Sequence, residues 1–113
     1  MKQPFITILT PAYNRASLLP RLFGSLLRQT NKNFEWIVVD DGSTDDTREV
    51  LASLKQRCGD AFPMTCIYKA NGGKHMAINI GAERARGELL FIADSDDLLT
   101  DDALQIVVEE WQN

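Results

Sequence analysis

Trp36-Ile37-Val38-Val39-Asp40-Asp41-Gly42-Ser43 decides the reading of this chain: four apolar residues in a row, then two carboxylates, then a glycine turn. A strand with one face in water alternates apolar and polar side chains, whereas a strand covered on both faces reads as an unbroken apolar run. Leu89-Leu90-Phe91-Ile92-Ala93 repeats the pattern and ends in a second acidic turn, Asp94-Ser95-Asp96-Asp97. The two runs predict strands over 34–40 and 89–94, and segments rich in β-branched and aromatic residues add strands over 5–10 and 64–70. Cover on both faces favours a parallel sheet.

Stretches of helical period lie between the strands. Leu18, Leu19, Leu22, Phe23, Leu26 and Leu27 form one apolar stripe, with Ser17 placed as a cap and Pro20 in the first turn, where its missing N–H costs least. A second helix is expected over about 46–56, with Ser43, Thr44 and Asp45 offering cap oxygens, and a third over about 74–85. A fourth has Thr100 as cap, Asp101 and Asp102 in its first turn, and Leu104, Val107, Val108 and Trp111 as its inward stripe. Strand and helix alternating four times predict a Rossmann-like, doubly wound α/β fold with a mostly parallel sheet and right-handed crossovers. Ligands of such sheets sit outside the carboxyl ends of the strands, which here are residues 10–15, 40–45, 70–75 and 94–100.

Composition sets the outer bounds. A chain of 113 residues with 44% hydrophobic and 25% charged residues builds one core and has no room for a second. The formal net charge of −4, with no block of basic residues, argues against duplex nucleic acid and anionic membrane as partners. No apolar run reaches the ~18 to 20 residues of a membrane span, and no secretory leader pattern opens the chain, so a cytoplasmic location is expected. Cys58 and Cys66 form neither a CxxC pair nor part of a zinc set, and they receive no role.

The four strand ends hold the candidate chemistry. Asp94, Asp96 and Asp97 repel one another if unpaired, and Mg²⁺ or Mn²⁺ relieves that repulsion using one or two carboxylates with water and substrate phosphate. A hydrated acidic turn accounts for Asp96 and Asp97 as well. Asp40 and Asp41 stand where nucleotide-binding α/β folds place acceptors for ribose hydroxyls or a base N–H, while Asx-type turn bonding also explains Asp41. Asn71-Gly72-Gly73-Lys74 combines backbone N–H groups, a helix N-terminus and a cation, a setting for phosphate or diphosphate. The P-loop spacing fails, since Tyr68 and His75 occupy key positions, and no G-x-G-x-x-G follows the first strand. Tyr13 offers a ring for a base to stack on or packs on its own loop, and Pro11 and Asn14 shape that loop. His75 reads as a neighbour of the phosphate turn, and Arg84 and Arg86 as solvated charges at a helix end.

Taken in order, Thr10-Pro11-Ala12-Tyr13-Asn14, Ile37 to Asp45, Asn71-x-Gly73-Lys74 with Asn79-x-Gly81, and Gly87-Glu88 leading into Asp94-Ser95-Asp96-Asp97 resemble the family 2 glycosyltransferases over nearly the whole chain. The resemblance implies the nucleotide-sugar-binding half of a GT-A fold. It assigns contact with the nucleoside, usually uridine, to Thr10, Pro11, Tyr13 and Asp41, with Asp40 beside them. It sets Lys74 near the diphosphate, Asp94 and Asp96 on the nucleotide, and the metal, Mn²⁺ or Mg²⁺, on Asp96 and Asp97. The implied partners are a nucleotide-sugar donor, probed first as a UDP-sugar, and a hydroxyl acceptor in polysaccharide or glycoconjugate synthesis. The implied reaction is inverting, with a bound cation stabilising the leaving diphosphate and a general base deprotonating the acceptor.

Two departures accompany the resemblance. Many relatives have Ala-Arg-Asn where this chain has Ala77-Ile78-Asn79. Residues 1–113 are also expected to form only the donor-binding part, truncated before the acceptor half, because Glu109 and Glu110 sit in a helix leading away from the strand ends and no other candidate base follows Asp102. The expectation is thus a transferase inactive alone. A noncatalytic nucleotide-binding or interaction module is the alternative, with an uncovered sheet edge able to pair two copies as a homodimer. A sugar nucleotidyltransferase lacks its glycine-rich signature here.

Overall fold

A computed structural model, describing residues 3–112, contains strands and helices in strict alternation. The order is β1 (Ile6–Ala12), α1 (Leu19–Leu27), β2 (Phe34–Asp41), α2 (Thr47–Cys58), β3 (Met64–Lys69), α3 (Lys74–Arg84), β4 (Leu89–Ile92) and α4 (Ala103–Gln112). The sheet is ordered β3-β2-β1-β4 with every pair parallel. The chain therefore winds outward from β1 through β2 to β3, then returns to set β4 on the other side of β1. That reversal makes the carboxyl ends of β1 and β4 the switch point, where the loops that follow turn apart and open a crevice.

Alternation along each strand sorts the core into two layers. Ile6, Ile8, Phe34, Trp36 and Val38 pack against Leu22, Phe23 and Leu26 of α1, Leu51 and Leu54 of α2, and Leu104 of α4. Leu9, Ile37 and Val39 face the other way, onto Ala77 and Ile78 of α3. The unbroken apolar run in β2 is thus explained: all eight of its residues are buried, with helices on both faces. Phe23 stacks on Trp36 with ring centroids 6.2 Å apart, and the Trp36 indole N–H donates to Thr10 Oγ1 at 2.9 Å.

Pro11 lies in the central strand β1, where a missing N–H would ordinarily break the ladder. The carbonyls of Phe5 and Leu9 accept from Leu89 and Ala93, so odd-numbered residues of β1 direct their backbone groups toward β4. Pairing with β4 ends at Leu9–Ile92, and Pro11 falls beyond it without costing a bond.

At the opposite end of the sheet Glu35 is buried yet fully partnered. Thr7 Oγ1 donates to its Oε2 at 2.6 Å, the Arg86 backbone N–H to the same oxygen at 2.6 Å, and Arg86 Nε reaches Oε1 at 3.2 Å. Arg86 is consequently an anchor for the turn into β4 and not the solvated charge its place after α3 suggested.

Several sequence expectations move by a few residues. β1 runs on to Ala12, and β4 stops at Ile92 instead of 94. Ser17 does not cap α1: Leu18 holds that position, and the Arg15 carbonyl, accepting from Leu18 and Leu19, closes the preceding turn. Asp46 holds the N-cap position of α2 without a side-chain cap bond; Asp45, just before it, accepts from the Thr47 N–H through Oδ1 at 2.9 Å, whereas Ser43 and Thr44 turn toward Asn14. α4 begins at Ala103 because the Thr100 hydroxyl donates to the Asp102 carboxylate and its carbonyl accepts from Ala103. Trp111 is 57% exposed and lies off the inward stripe.

Candidate functional site

An open cleft of about 290 Å³ occupies the switch point. The segment from β1 supplies Pro11, Ala12, Tyr13 and Arg15, the end of β2 supplies Asp41, the start of α3 supplies Lys74, and the segment after β4 supplies Asp94, Ser95 and Asp96. Five of the residues named from the sequence other than Pro11 therefore meet in one cavity: Tyr13, Asp41, Lys74, Asp94 and Asp96.

Asn14, between two lining residues, ties the loops beside this cleft together. It takes a left-handed backbone, φ 54°, which a short polar side chain tolerates better than most. Its Oδ1 accepts from the N–H groups of Thr44 and Asp45 at 2.8 and 3.2 Å, and its own N–H donates to Ser43 Oγ at 2.9 Å. The loop carrying Tyr13 is thereby tied to the loop after β2, and Tyr13 is 43% exposed and lines the cleft. Arg15, which no motif singled out, lines the cleft and donates from Nη1 to the Tyr13 carbonyl at 2.8 Å.

Asp41 is the most constrained group of the site. Its Oδ1 accepts from Lys69 Nζ at 2.5 Å and the Gly72 N–H at 2.9 Å, and its Oδ2 accepts from the Gly73 N–H at 2.9 Å. The Lys69 hydrogen bond, helped by those two N–H groups and opposed by burial, holds the carboxyl below its ordinary range. Two of the N–H groups expected to receive phosphate are thus engaged by Asp41. Gly42 makes the approach of the loops feasible: at φ 71°, a Cβ there would lie 2.5 Å from the Asn71 nitrogen.

Lys74 Nζ pairs with Asp94 Oδ1 at 2.9 Å across the cleft, both side chains about half exposed. Asp97 does not line the cavity. Its Oδ2 accepts from the Asp94 N–H at 2.8 Å while its N–H donates to the Asp94 carbonyl, so it closes the turn after β4. Asp40 also serves a turn, its Oδ1 accepting from the Ser43 hydroxyl at 2.5 Å and N–H at 3.2 Å. It lines a neighbouring hollow with Arg48, Tyr68 and Lys69 instead of the cleft. Thr10 is fully buried under Trp36, and His75, although exposed, does not line the cavity.

Among the described residues no three metal-ligating side chains cluster. Asp94 and Asp96 nonetheless share one wall of the cleft. A hard cation of the Mg²⁺ class takes one or two carboxylates and completes its shell with water and phosphate, and this donor set fits that chemistry. No described helix is long and apolar enough to cross a membrane.

Comparison with known proteins supplies the context for this geometry. The family model described as glycosyl transferase family 2 matches residues 7–113. A glycosyltransferase of Nostoc sp. is 37% identical over 107 residues, covering 95% of this chain and 33% of its own length. The chondroitin synthase of Pasteurella multocida is 36% identical over 108 residues, covering 96% of this chain and 11% of the synthase. Residues 1–349 of Staphylococcus aureus TarS in complex with UDP superpose with a TM-score of 0.82 at 27% identity, over 93% of this chain and 31% of that one. The mannosyltransferase PcManGT of Pyrobaculum calidifontis, in complex with GDP-Man and Mn²⁺, gives 0.78 at 28% identity, over 87% of this chain and 29% of that one. The chain spans a third or less of the length of these proteins.

Proposed function

The chain belongs to glycosyl transferase family 2, and from that premise we propose that it is the donor-binding part of an inverting glycosyltransferase that takes a UDP-sugar and serves transfer of the sugar to a hydroxyl acceptor of a polysaccharide or glycoconjugate. The observation that carries the reading is the meeting of Tyr13, Asp41, Lys74, Asp94 and Asp96 in one cleft at the switch point of the sheet.

Each group has work that its surroundings suit. Tyr13 presents its ring to the base, a contact worth ~1 to 3 kcal/mol in stacking proteins. Asp41, held ionised, accepts from an N–H on the base edge. Lys74 exchanges Asp94 for the donor diphosphate, since a free diphosphate oxygen is the stronger competitor for a half-exposed ammonium. Asp94 and Asp96 hold the divalent cation, Mn²⁺ or Mg²⁺, and the ribose. When bound, that cation stabilises negative charge on the leaving diphosphate as a Lewis acid. That TarS is found in complex with UDP and PcManGT with GDP-Man and Mn²⁺ supports a nucleotide-sugar donor and a divalent cation for this fold.

Acceptor binding and the general base fall outside this set of residues. Glu109 and Glu110 lie in α4, exposed and apart from the cleft, and transfer by these residues alone is not expected.

Calorimetric titration of UDP, GDP and CDP into the chain, with Mn²⁺ and again with excess EDTA, tests the reading. Uridine-selective binding that EDTA abolishes is the expected result. Binding of no nucleotide in either condition overturns it and favours the noncatalytic interaction module.

A further inference from the structure

Beside the cleft stands a lysine that no motif explains. Lys69, the last residue of β3, is the register partner of Asp41, the last residue of β2. Partners in a parallel ladder project from the same face, so the two side chains meet as the strands end. Lys69 Nζ donates to Asp41 Oδ1 at 2.5 Å and to the Ala70 carbonyl at 2.6 Å. The pair is nearly enclosed, the side chains 12% and 6% exposed, whereas the neighbouring cation Lys74 is 59% exposed. Enclosing an ammonium and a carboxylate has a desolvation cost that a surface pair avoids, and such pairs are weak stabilisers. Stability alone gives little reason for this one.

Acceptor capacity gives a better reason. An ionised carboxylate offers about four acceptor positions. Lys69 and the Gly72 N–H take those of Oδ1; on Oδ2 the Gly73 N–H takes one at 2.9 Å, and the Asn71 amide reaches it only at 3.4 Å. Oδ2 is the oxygen with capacity left, and Asp41 lines the cleft. Lys69 lines the adjoining hollow and not the cleft, so its effect on a ligand passes through Asp41.

We propose that Lys69 is the positioning residue for nucleobase choice: by occupying Oδ1 it holds Asp41 as an acceptor and turns Oδ2 toward a base edge that carries a ring N–H. This rests on the donor-binding reading above. Uracil, with its N3–H between two carbonyls, fits such an oxygen. Cytosine places an unprotonated nitrogen at the same position, and two acceptors face each other there. A protonated Asp41 could donate to that nitrogen and would accept cytosine, and the Lys69 contact opposes this by favouring the ionised carboxylate.

The test titrates UDP and CDP, each with Mn²⁺, into the full chain and into Lys69→Met and Lys69→Arg. The readout is the ratio of the CDP to the UDP dissociation constant, which general loosening of the site leaves unchanged because both ligands weaken together. We expect the ratio to fall about tenfold in Lys69→Met, the scale of one lost charge-assisted contact, and to recover in Lys69→Arg. If Lys69→Met does not fold, Lys69→Gln, which keeps a donor but no charge, carries the same expected direction. An unchanged ratio in the folded uncharged variant overturns the proposal and leaves the donor reading intact; equal binding of UDP and CDP by the unsubstituted chain overturns the proposal together with the uridine preference, while nucleotide binding itself stands. Binding of no nucleotide by the unsubstituted chain overturns both.

Discussion

Thr10 and Asp41 both end up near the strand ends, yet they serve different purposes. Thr10 is fully buried and accepts the Trp36 indole N–H. Thr10→Val keeps the shape and leaves that donor unsatisfied, so it should lower unfolding stability by about 1 to 3 kcal/mol in urea titration while UDP affinity stays within twofold. Asp41 couples the fold to pH. Its carboxyl is lowered on folding, first by the Lys69 hydrogen bond, so its stabilisation is present above the unfolded carboxylate value and is lost as pH falls through the lower folded value. The stability difference between the unsubstituted chain and Asp41→Asn should accordingly shrink from about pH 5 downward in acid-titrated unfolding curves. A difference that stays constant across that range would contradict the ion pair. Sequence alone marked Asp41 as an acceptor but left Lys69 unnoticed, because the contact joins residues 28 apart that only strand register sets side by side.

Among the elements, strands were more legible than helix ends. The apolar run of β2 responds to burial on both faces, a property of the whole segment, whereas β4 does not follow that expectation: Leu89 and Phe91 pack on the core while Leu90 and Ile92 are exposed on the other face. A cap depends on one side chain with several available partners. Ser43 and Thr44 had the chemistry for capping α2, but Asn14 draws both away, the cap position falls to Asp46 without a side-chain bond, and Asp45 reaches the Thr47 N–H from just outside the helix. β4 also depends on a single glycine. A Cβ on Gly87 would lie 2.5 Å from the Thr7 nitrogen and 2.7 Å from the Ile6 carbonyl carbon, backbone that cannot step aside. Gly87→Ala should therefore cost about 3 kcal/mol or more, read as a lower urea midpoint, through displacement of β4 from β1.

At the scale of the molecule the cleft joins the ends of β1 and β2 and the segment after β4 to the start of α3, so a ligand bound there bridges most of the sheet. Binding to the folded state alone adds about 2.7 kcal/mol when free ligand is a hundredfold above its dissociation constant. UDP with Mn²⁺ at that excess should raise the melting temperature by on the order of 10 °C. The rise should shrink in Asp96→Asn, which loses a carboxylate of the cleft wall. Asp97→Asn, whose side chain closes the turn, should instead lower the ligand-free melting temperature. Equal ligand-induced shifts in the unsubstituted chain and Asp96→Asn would remove Asp96 from the cation's donor set.

The sequence by itself determined the alternation of four strands and four helices and the parallel sheet, and it pointed to the strand ends, where the cleft lies. Hydrophobic period and turn residues are local signals, and the apolar run of β2 matches its cover on both faces, whereas the like run of β4 has one face exposed. Tertiary structure alone decided which polar residues at those ends face the cleft. Asp41 and Asp96 reach it while their neighbours Asp40 and Asp97 close turns. Adjacent residues of like chemistry are separated only by the direction their backbone gives them and by the partners that strand register and loop contacts bring within hydrogen-bond reach.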